Sequence, residues 1–335
     1  MPLSSPPPSV GSQPSQRSEV VRRHRWDGLR CESRLVPAAA PRMRPLLLIG
    51  GAFQSKETWG RCEKLFLADM DVFTVDPPGW GAADPLPPGR SVDTLADAVC
   101  HILDESGLRR VNVVGGSYGS AIAYRIAQRR PDLVGRMVLV GTMAAIPEHS
   151  RQAMHRALAF LDAGRMDEYA HAAVDIMMNT GRLDGITNGA RVRRFLLRRL
   201  AALSAAEIVQ VSTNTQRLLR HAELDTGVPV AATTLTVTGE HDAFTTPAQC
   251  RRMALACGTG WFAEIAESDH MLFLERPAEI TDLVTRFLSD EPLHGLPYCT
   301  RVEQLPASPF PAPRAAAPAP EGKPAGRVGG LDPTA

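Results

Sequence analysis

Short runs of consecutive apolar residues recur along the middle of the chain, each closed by glycine or by an Asp-Pro turn. Leu46-Leu47-Leu48-Ile49 ends in Gly50-Gly51, Val72-Phe73-Thr74-Val75 in Asp76-Pro77-Pro78-Gly79, and Val111-Asn112-Val113-Val114 in Gly115-Gly116. Met137-Val138-Leu139-Val140 ends at Gly141, and Leu235-Thr236-Val237 leads to Gly239. Such runs, too short for helices and without alternation, are how strands buried on both faces read. Helical periodicity fills the intervals: residues 92–106, closed by Gly107, and 118–128, closed by Pro131. Upstream, residues 20–26 and 29–35 flank Asp27-Gly28, a two-residue hairpin signal. Late in the chain, 261–265 reads as a strand and 277–288 as a helix. This alternation predicts an α/β fold: a mostly parallel sheet with helices on both faces and its chemistry at the carboxyl ends of the strands.

One stretch breaks the alternation. Residues 144–226 carry no strand signal, and Val192, Phe195, Leu196 and Leu200 form one helical face while Arg191, Arg194 and Arg198 form another. The expectation is a cap of about four helices inserted after the strand ending at Val140, its arginines a solvated face. Pro6-Pro7-Pro8 and the Pro/Ala/Gly-rich 307–330 bury too little apolar area to offset chain entropy. The expected organisation is therefore a disordered tail over 1–18, a core over 19–143, the cap over 144–226, a second core part over 227–290, and a disordered tail over 291–335.

Composition acts mainly by exclusion. With 44% hydrophobic residues in 335, one large core with an insertion is affordable. A net charge of +1 and 5% aromatics give no nucleic-acid surface. Cys31, Cys62, Cys100, Cys250, Cys257 and Cys299 include no CxxC pair, so neither a zinc site nor a redox motif is indicated, and plain structural thiols are expected. The N-terminus has no long apolar stretch and nothing approaches a membrane span, so the expected location is the cytoplasm.

Candidate chemistry centres on Gly115-Gly116-Ser117-Tyr118-Gly119, a G-x-S-x-G motif between a buried strand and a helix. The residues two before and two after the serine crowd each other in so sharp a turn, and glycine at 115 and 119 removes the clash. The N–H of Tyr118, at the helix start, would then face a negative oxygen. A serine hydroxyl needs a base. Of nine histidines, His270 follows a late strand and precedes a helix, which sets it in a loop at the sheet edge; His101, His155 and His171 sit in helical patterns, and His221, His241 and His294 lack that placement. The base needs an acid to fix its tautomer. Asp242 lies just past the 235–237 strand, with Glu240 as its competitor and Asp269 too near His270 in sequence.

The order Ser117, Asp242, His270 is that of the α/β-hydrolases, and over about 20–290 the chain resembles that superfamily. Gly50-Gly51-Ala52-Phe53-Gln54-Ser55 with Trp59 is similar to its HGxxxS…W segment, Asp76-Pro77-Pro78-Gly79-Trp80-Gly81 to its DxPGxG loop, and Glu275-Arg276-Pro277 to the ExP after its histidine. The resemblance implies an eight-stranded sheet, a triad of Ser117, Asp242 and His270, and Ala52 as a second oxyanion donor beside Tyr118. Gly50 departs from the pattern, standing where most members have the histidine that braces this loop. Serine at 117, rather than aspartate, disfavours the dehalogenase and epoxide hydrolase reactions of similar chains.

The expected reaction is hydrolysis of a small or medium apolar ester or thioester, with no metal or cofactor. Phe53, Phe160, Met177 and Met178 are candidate pocket walls. A weaker resemblance, to acyltransferases that draw 3-hydroxyacyl groups from acyl carrier protein, rests on residues 239–246 and the non-histidine at 50. It implies CoA or another acyl chain as acceptor, and an acidic carrier protein meeting Arg191, Arg194 and Arg198. A ligand receptor on a hydrolase scaffold is the non-enzyme alternative. The HGGPG segment of proline iminopeptidases is absent.

Overall fold

The computed structural model describes residues 18–221 and 223–306. All but the last residue of the expected N-terminal tail, and the 307–335 part of the C-terminal one, lie outside the described residues. The first half of the chain forms β1 (Val20–Trp26), β2 (Leu29–Val36), β3 (Leu46–Ile49), α1 (Gly60–Phe66), β4 (Val72–Asp76), α2 (Val92–Glu105), β5 (Val111–Gly116), α3 (Tyr118–Arg129) and β6 (Val134–Val140). Four helices follow: α4 (Glu148–Asp162), α5 (Met166–Met177), α6 (Gly189–Ala201) and α7 (Ala205–His221). The chain closes with β7 (Val230–Gly239), α8 (Pro247–Leu255), β8 (Cys257–Ile265), α9 (Leu272–Glu275), α10 (Pro277–Leu288) and β9 (Cys299–Gln304).

The strands form one sheet in the order β1-β2-β4-β3-β5-β6-β7-β8-β9. Strands β4 through β8 are parallel, and β1, β2 and β9 add antiparallel edges. Every residue of β3, β4 and β5 is buried, which is why each reads as a mainly apolar run without alternation. The alternation of strand side chains splits the core in two. Leu47, Ile49 and Val113 pack under α2 and α3 with Ile102 and Ile122. Leu46, Leu48 and Val114 pack on the opposite face with Phe66 of α1 and Phe287 of α10. From β3 the chain moves outward to β4, then returns to place β5 on the other side of β3, so a crevice opens at the carboxyl ends of β3 and β5.

Helices α4–α7 stand between β6 and β7 and share an apolar cluster of their own, built on Leu158, Val174, Leu196 and Leu200. The neck of this cap is closed where the Leu224 N–H donates to the Ala144 carbonyl at 2.8 Å. All six cysteines are free thiols, and among the described residues no helix is long and apolar enough to cross a membrane.

The sheet has nine strands rather than eight, and the extra one corrects the expected tail over 291–335. Residues 299–304 include half-buried Cys299, Val302 and Glu303 among exposed positions and pair antiparallel with β8. Leu293 is buried against the core, Tyr298 packs on it, and the Leu305 N–H donates to Gly260 at 2.9 Å. Averaging over the Pro/Ala-rich residues that follow hid this short amphipathic strand. It covers the β8 edge, which would otherwise present unpaired backbone groups. Ending the chain after Asp290 is expected to lower Tm by on the order of 5 °C and to promote self-association in size-exclusion chromatography, relative to a chain ending after Pro306.

Candidate active site

The turn from β5 into α3 is tight enough to exclude side chains on either side of Ser117. A Cβ on Gly115 would lie 2.5 Å from the Gly119 carbonyl oxygen, and one on Gly119 would lie 2.1 Å from that of Ile49. Ser117 itself takes φ 51° and ψ −117°, a conformation that costs a non-glycine residue about 1–3 kcal/mol. Its neighbours hold it there. Its N–H donates to the Val140 carbonyl at 2.8 Å, and its carbonyl accepts the Ser120 N–H at 2.9 Å and hydroxyl at 2.6 Å.

The structure brings the three candidate residues together. Ser117 Oγ lies 3.0 Å from His270 Nε2, and His270 Nδ1 lies 3.0 Å from Asp242 Oδ2. The competing acids go elsewhere. Glu240 is exposed and accepts the Glu267 N–H, while Asp269 accepts the N–H of Asn179 from the cap. Of the other histidines, His241 faces Gly185 of the cap and His294 lies against Trp261. The Asp242 carboxylate is buried and saturated with donors: the N–H groups of Phe244 and Thr245 at 2.9 and 2.7 Å, and the hydroxyls of Thr238 and Thr245 at 3.0 and 2.5 Å. Burial penalises a charged imidazole at 270, but Asp242, with Asp269 and Glu275 behind it, outweighs that and raises its pKa. Burial also pushes the Asp269 carboxyl up to about 6 and that of Glu275 to about 8.

Thr238 and Thr245 were not singled out by sequence reasoning. Thr245 Oγ1 also lies 2.9 Å from His270 Nδ1, so it touches both the acid and the ring. The available signal was the demand of a buried carboxylate for donors, which the short hydroxyls four residues before Asp242 and three after it can meet.

Across from Ser117 runs the loop after β3. The N–H groups of Ala52 and Tyr118 have no acceptor among the described residues. Gly50 proves to be a packing requirement. A Cβ there would lie 2.7 Å from Cβ of Gln54, whose side-chain oxygen accepts the Gly51 N–H at 2.8 Å. The Trp80 indole donates to the Gly51 carbonyl at 2.9 Å. Buried Lys56 joins Asp76 at 3.0 Å and Glu32 at 3.1 Å, and the Lys56 N–H donates to the same Asp76 at 2.8 Å. Gln54, Trp80 and Lys56 thus brace the loop from within.

Ser117 and His270 open into a cavity of about 800 Å³ between sheet and cap. Ala52, Phe53 and Met177 line it. Phe160 and Met178 do not, which corrects two of the four expected wall residues. Met178 is buried in the apolar cluster of the cap, because α5 ends at Met177 and the chain turns extended there. Phe160 lies under the Arg165 guanidinium. The arginine face also divides: Arg191 and Arg198 line the cavity, whereas Arg194 does not. Among the described residues no group of three His, Cys, Asp or Glu side chains is placed to hold a metal ion.

Comparison with known proteins bears on most of the core and on the cap. The family model described as "Alpha/beta hydrolase family" matches residues 46–283. A putative carbamate hydrolase, RutD, of Rhizobium rhizogenes is 25% identical over 264 residues, covering 74% of this chain and 94% of that protein. An (E)-2-((N-methylformamido)methylene)succinate hydrolase of Acinetobacter baylyi is 24% identical over 253 residues, covering 74% and 91%. MGS-M2, an alpha/beta hydrolase enzyme from a Medee basin deep-sea metagenome library, superimposes with a TM-score of 0.72 at 16% identity, over 81% of this chain and 98% of that one.

The fit at position 50 is open to test. Gly50→Ala should cost about 1–3 kcal/mol by overpacking against Gln54. In urea unfolding, the Gly50→Ala/Gln54→Gly protein, which lacks the opposing Cβ, should lose less than the sum of the two single changes.

Proposed function

The chain belongs to the alpha/beta hydrolase family, and on that footing we propose that it is a serine hydrolase cleaving a carboxylic ester or thioester through an acyl-Ser117 intermediate. The observation that carries this reading is the 3.0 Å approach of His270 Nε2 to Ser117 Oγ at the floor of a cavity. In the first step His270 takes the Ser117 proton as Oγ attacks the substrate carbonyl. Negative charge on the carbonyl oxygen is met by the N–H groups of Ala52 and Tyr118, each such donor typically lowering the barrier by about 3 kcal/mol. Collapse expels the alcohol or thiol, which takes the proton from His270. Water, activated by the same imidazole, then releases the acid and restores Ser117. Asp242 holds the ring with Nδ1 protonated and stabilises the transient imidazolium; Thr238 and Thr245 hold Asp242.

Phe53 and Met177 would contact the acyl group or the leaving group. Water as acceptor agrees with the two sequence relatives, which are named as hydrolases. Ser117→Ala should remain folded by circular dichroism and lose both turnover of aryl esters and labelling by a fluorophosphonate. Labelling that persists in this variant at the wild-type rate would refute the nucleophile.

The pH profile tests the base. Only neutral His270 can accept the proton, and its pKa is raised, so kcat/KM should climb with pH along a limb centred above the ordinary imidazole value of about 6.5. Asp242→Asn removes the main charge that raises it. The limb should then move to lower pH while kcat falls by roughly 10⁴.

A further inference from the structure

The cavity joins an apolar wall to a cationic rim. Val192 and Leu196 of the cap and Met271 and Phe273 of the core form apolar wall, and exposed Phe195 and Leu274 continue it to the mouth. Among these stand Arg61 from α1, and Arg191 and Arg198 from α6, all exposed. Arg191 and Arg198 are seven residues apart on one helical face, about 10 Å along the axis. Among the described residues no carboxylate lies within ion-pairing distance of any of the three. The other charges in the lining are accounted for. Arg199 pairs with Glu207, Glu279 pairs with Arg276 at 3.1 Å, and Glu275 is buried behind His270.

We propose that the substrate is an ester or thioester carrying an anionic group, carboxylate or phosphate, separated from the scissile carbonyl by an apolar spacer, with the anion bound by Arg61, Arg191 and Arg198. The assignment rests on the reading of Ser117 as nucleophile, since that fixes where the carbonyl sits. Guanidinium groups suit either anion, because both accept paired N–H donors. An unpaired cation beside apolar wall rewards an amphiphilic ligand over a neutral one, whose entry gains nothing from the rim. Recognition inside the cavity also differs from docking of an acidic protein on the outer surface. Arg194, on the same helix but outside the cavity, would serve only the latter.

The test compares matched substrates. One arm pairs an aryl half-ester of hexanedioic acid with its neutral methyl-capped isostere. The other pairs an S-acyl phosphopantetheine with the S-acyl N-acetylcysteamine, which lacks the phosphate. The anionic member of at least one pair should show kcat/KM at least about tenfold higher, an advantage that fades with added NaCl. The arm that shows it identifies which end of the substrate bears the charge. Arg191→Gln/Arg198→Gln should remove most of that advantage through KM, while Arg194→Gln should leave it intact. Equal rates for charged and neutral members in both arms would overturn the assignment, as would an equal loss in Arg194→Gln. Cleavage of neutral esters by the wild type but not by Ser117→Ala would keep the hydrolase reading whatever the rim does. Should no ester be cleaved, calorimetric titration with hexanedioic acid monoamide decides: binding lost in the Arg191/Arg198 variant supports the rim, and no binding to the wild type overturns it.

Discussion

Two backbones meet at the carboxyl ends of β3 and β5, and the rest of the site is arranged around that contact. The Gly119 α-carbon lies so close to the Ile49 carbonyl that only hydrogen fits between them. The chain must therefore reverse within one residue after β5, which forces Ser117 into a strained conformation. The same closeness sets the start of α3 beside the loop that leaves β3, so the unpaired N–H groups of Tyr118 and Ala52 come from elements in direct contact. Strain at the serine and the placement of the two unpaired N–H groups thus have one cause. That cause is secured by the parallel pairing of β3 with β5.

Proximity of serine, histidine and carboxylate is not by itself a catalytic arrangement, and the molecule contains its own control. Ser33 Oγ lies 2.7 Å from His24 Nε2, and His24 Nδ1 lies 2.7 Å from Glu105, contacts shorter than those at Ser117. Yet Ser33 sits on the regular strand β2 and is 1% exposed, so no carbonyl reaches it. Its role is to satisfy a histidine buried beneath the β1–β2 hairpin. Access, backbone strain and neighbouring unpaired donors separate the two sets, and only the set at 117 has all three.

Much of this was legible in the sequence, for identifiable reasons. Strands buried on both faces show as apolar runs, and the residues that end them sit where a parallel sheet gathers its chemistry; Ser117, Asp242 and His270 all follow from position relative to such runs. Partnering within a turn does not show that way. Nothing in the spacing ties Thr245 to both the acid and the ring, because that depends on how residues 242–246 fold back. The cap was the least legible part. Apolar periodicity marks a helical face but not whether it meets another helix or a cavity, so Met177 and Met178 read alike though one faces the site and the other the cap interior. Arg191 and Arg198 are exposed as expected, but periodicity does not show that they also line the cavity. At 299–304 the failure was one of averaging, a short amphipathic strand merged with the Pro/Ala-rich residues beyond it.

The cap is seated and specialised through different helices. Arg217 of α7 is wholly buried with no carboxylate in ion-pairing range among the described residues; it donates to Asn214 Oδ1 and the Leu86 carbonyl at 2.5 Å each and to Pro87 at 3.1 Å. A lone buried cation costs several kcal/mol unless its hydrogen bonds are well aimed, so it fits only one seat for α7. Asn214 reinforces that seat by donating to the Gly79 carbonyl at 2.9 Å, in the loop whose Trp80 stacks edge-on against Tyr118. Helix α7 is thereby tied to the floor that carries the Tyr118 N–H. Helix α6 is held at its start, where the Asn188 amide donates to the Glu275 carbonyl at 2.9 Å, and its remaining turns face the cavity. The exposed α6 positions Arg191, Phe195 and Arg198 line the cavity without touching the floor, whereas Asn214 and Arg217 hold the floor itself.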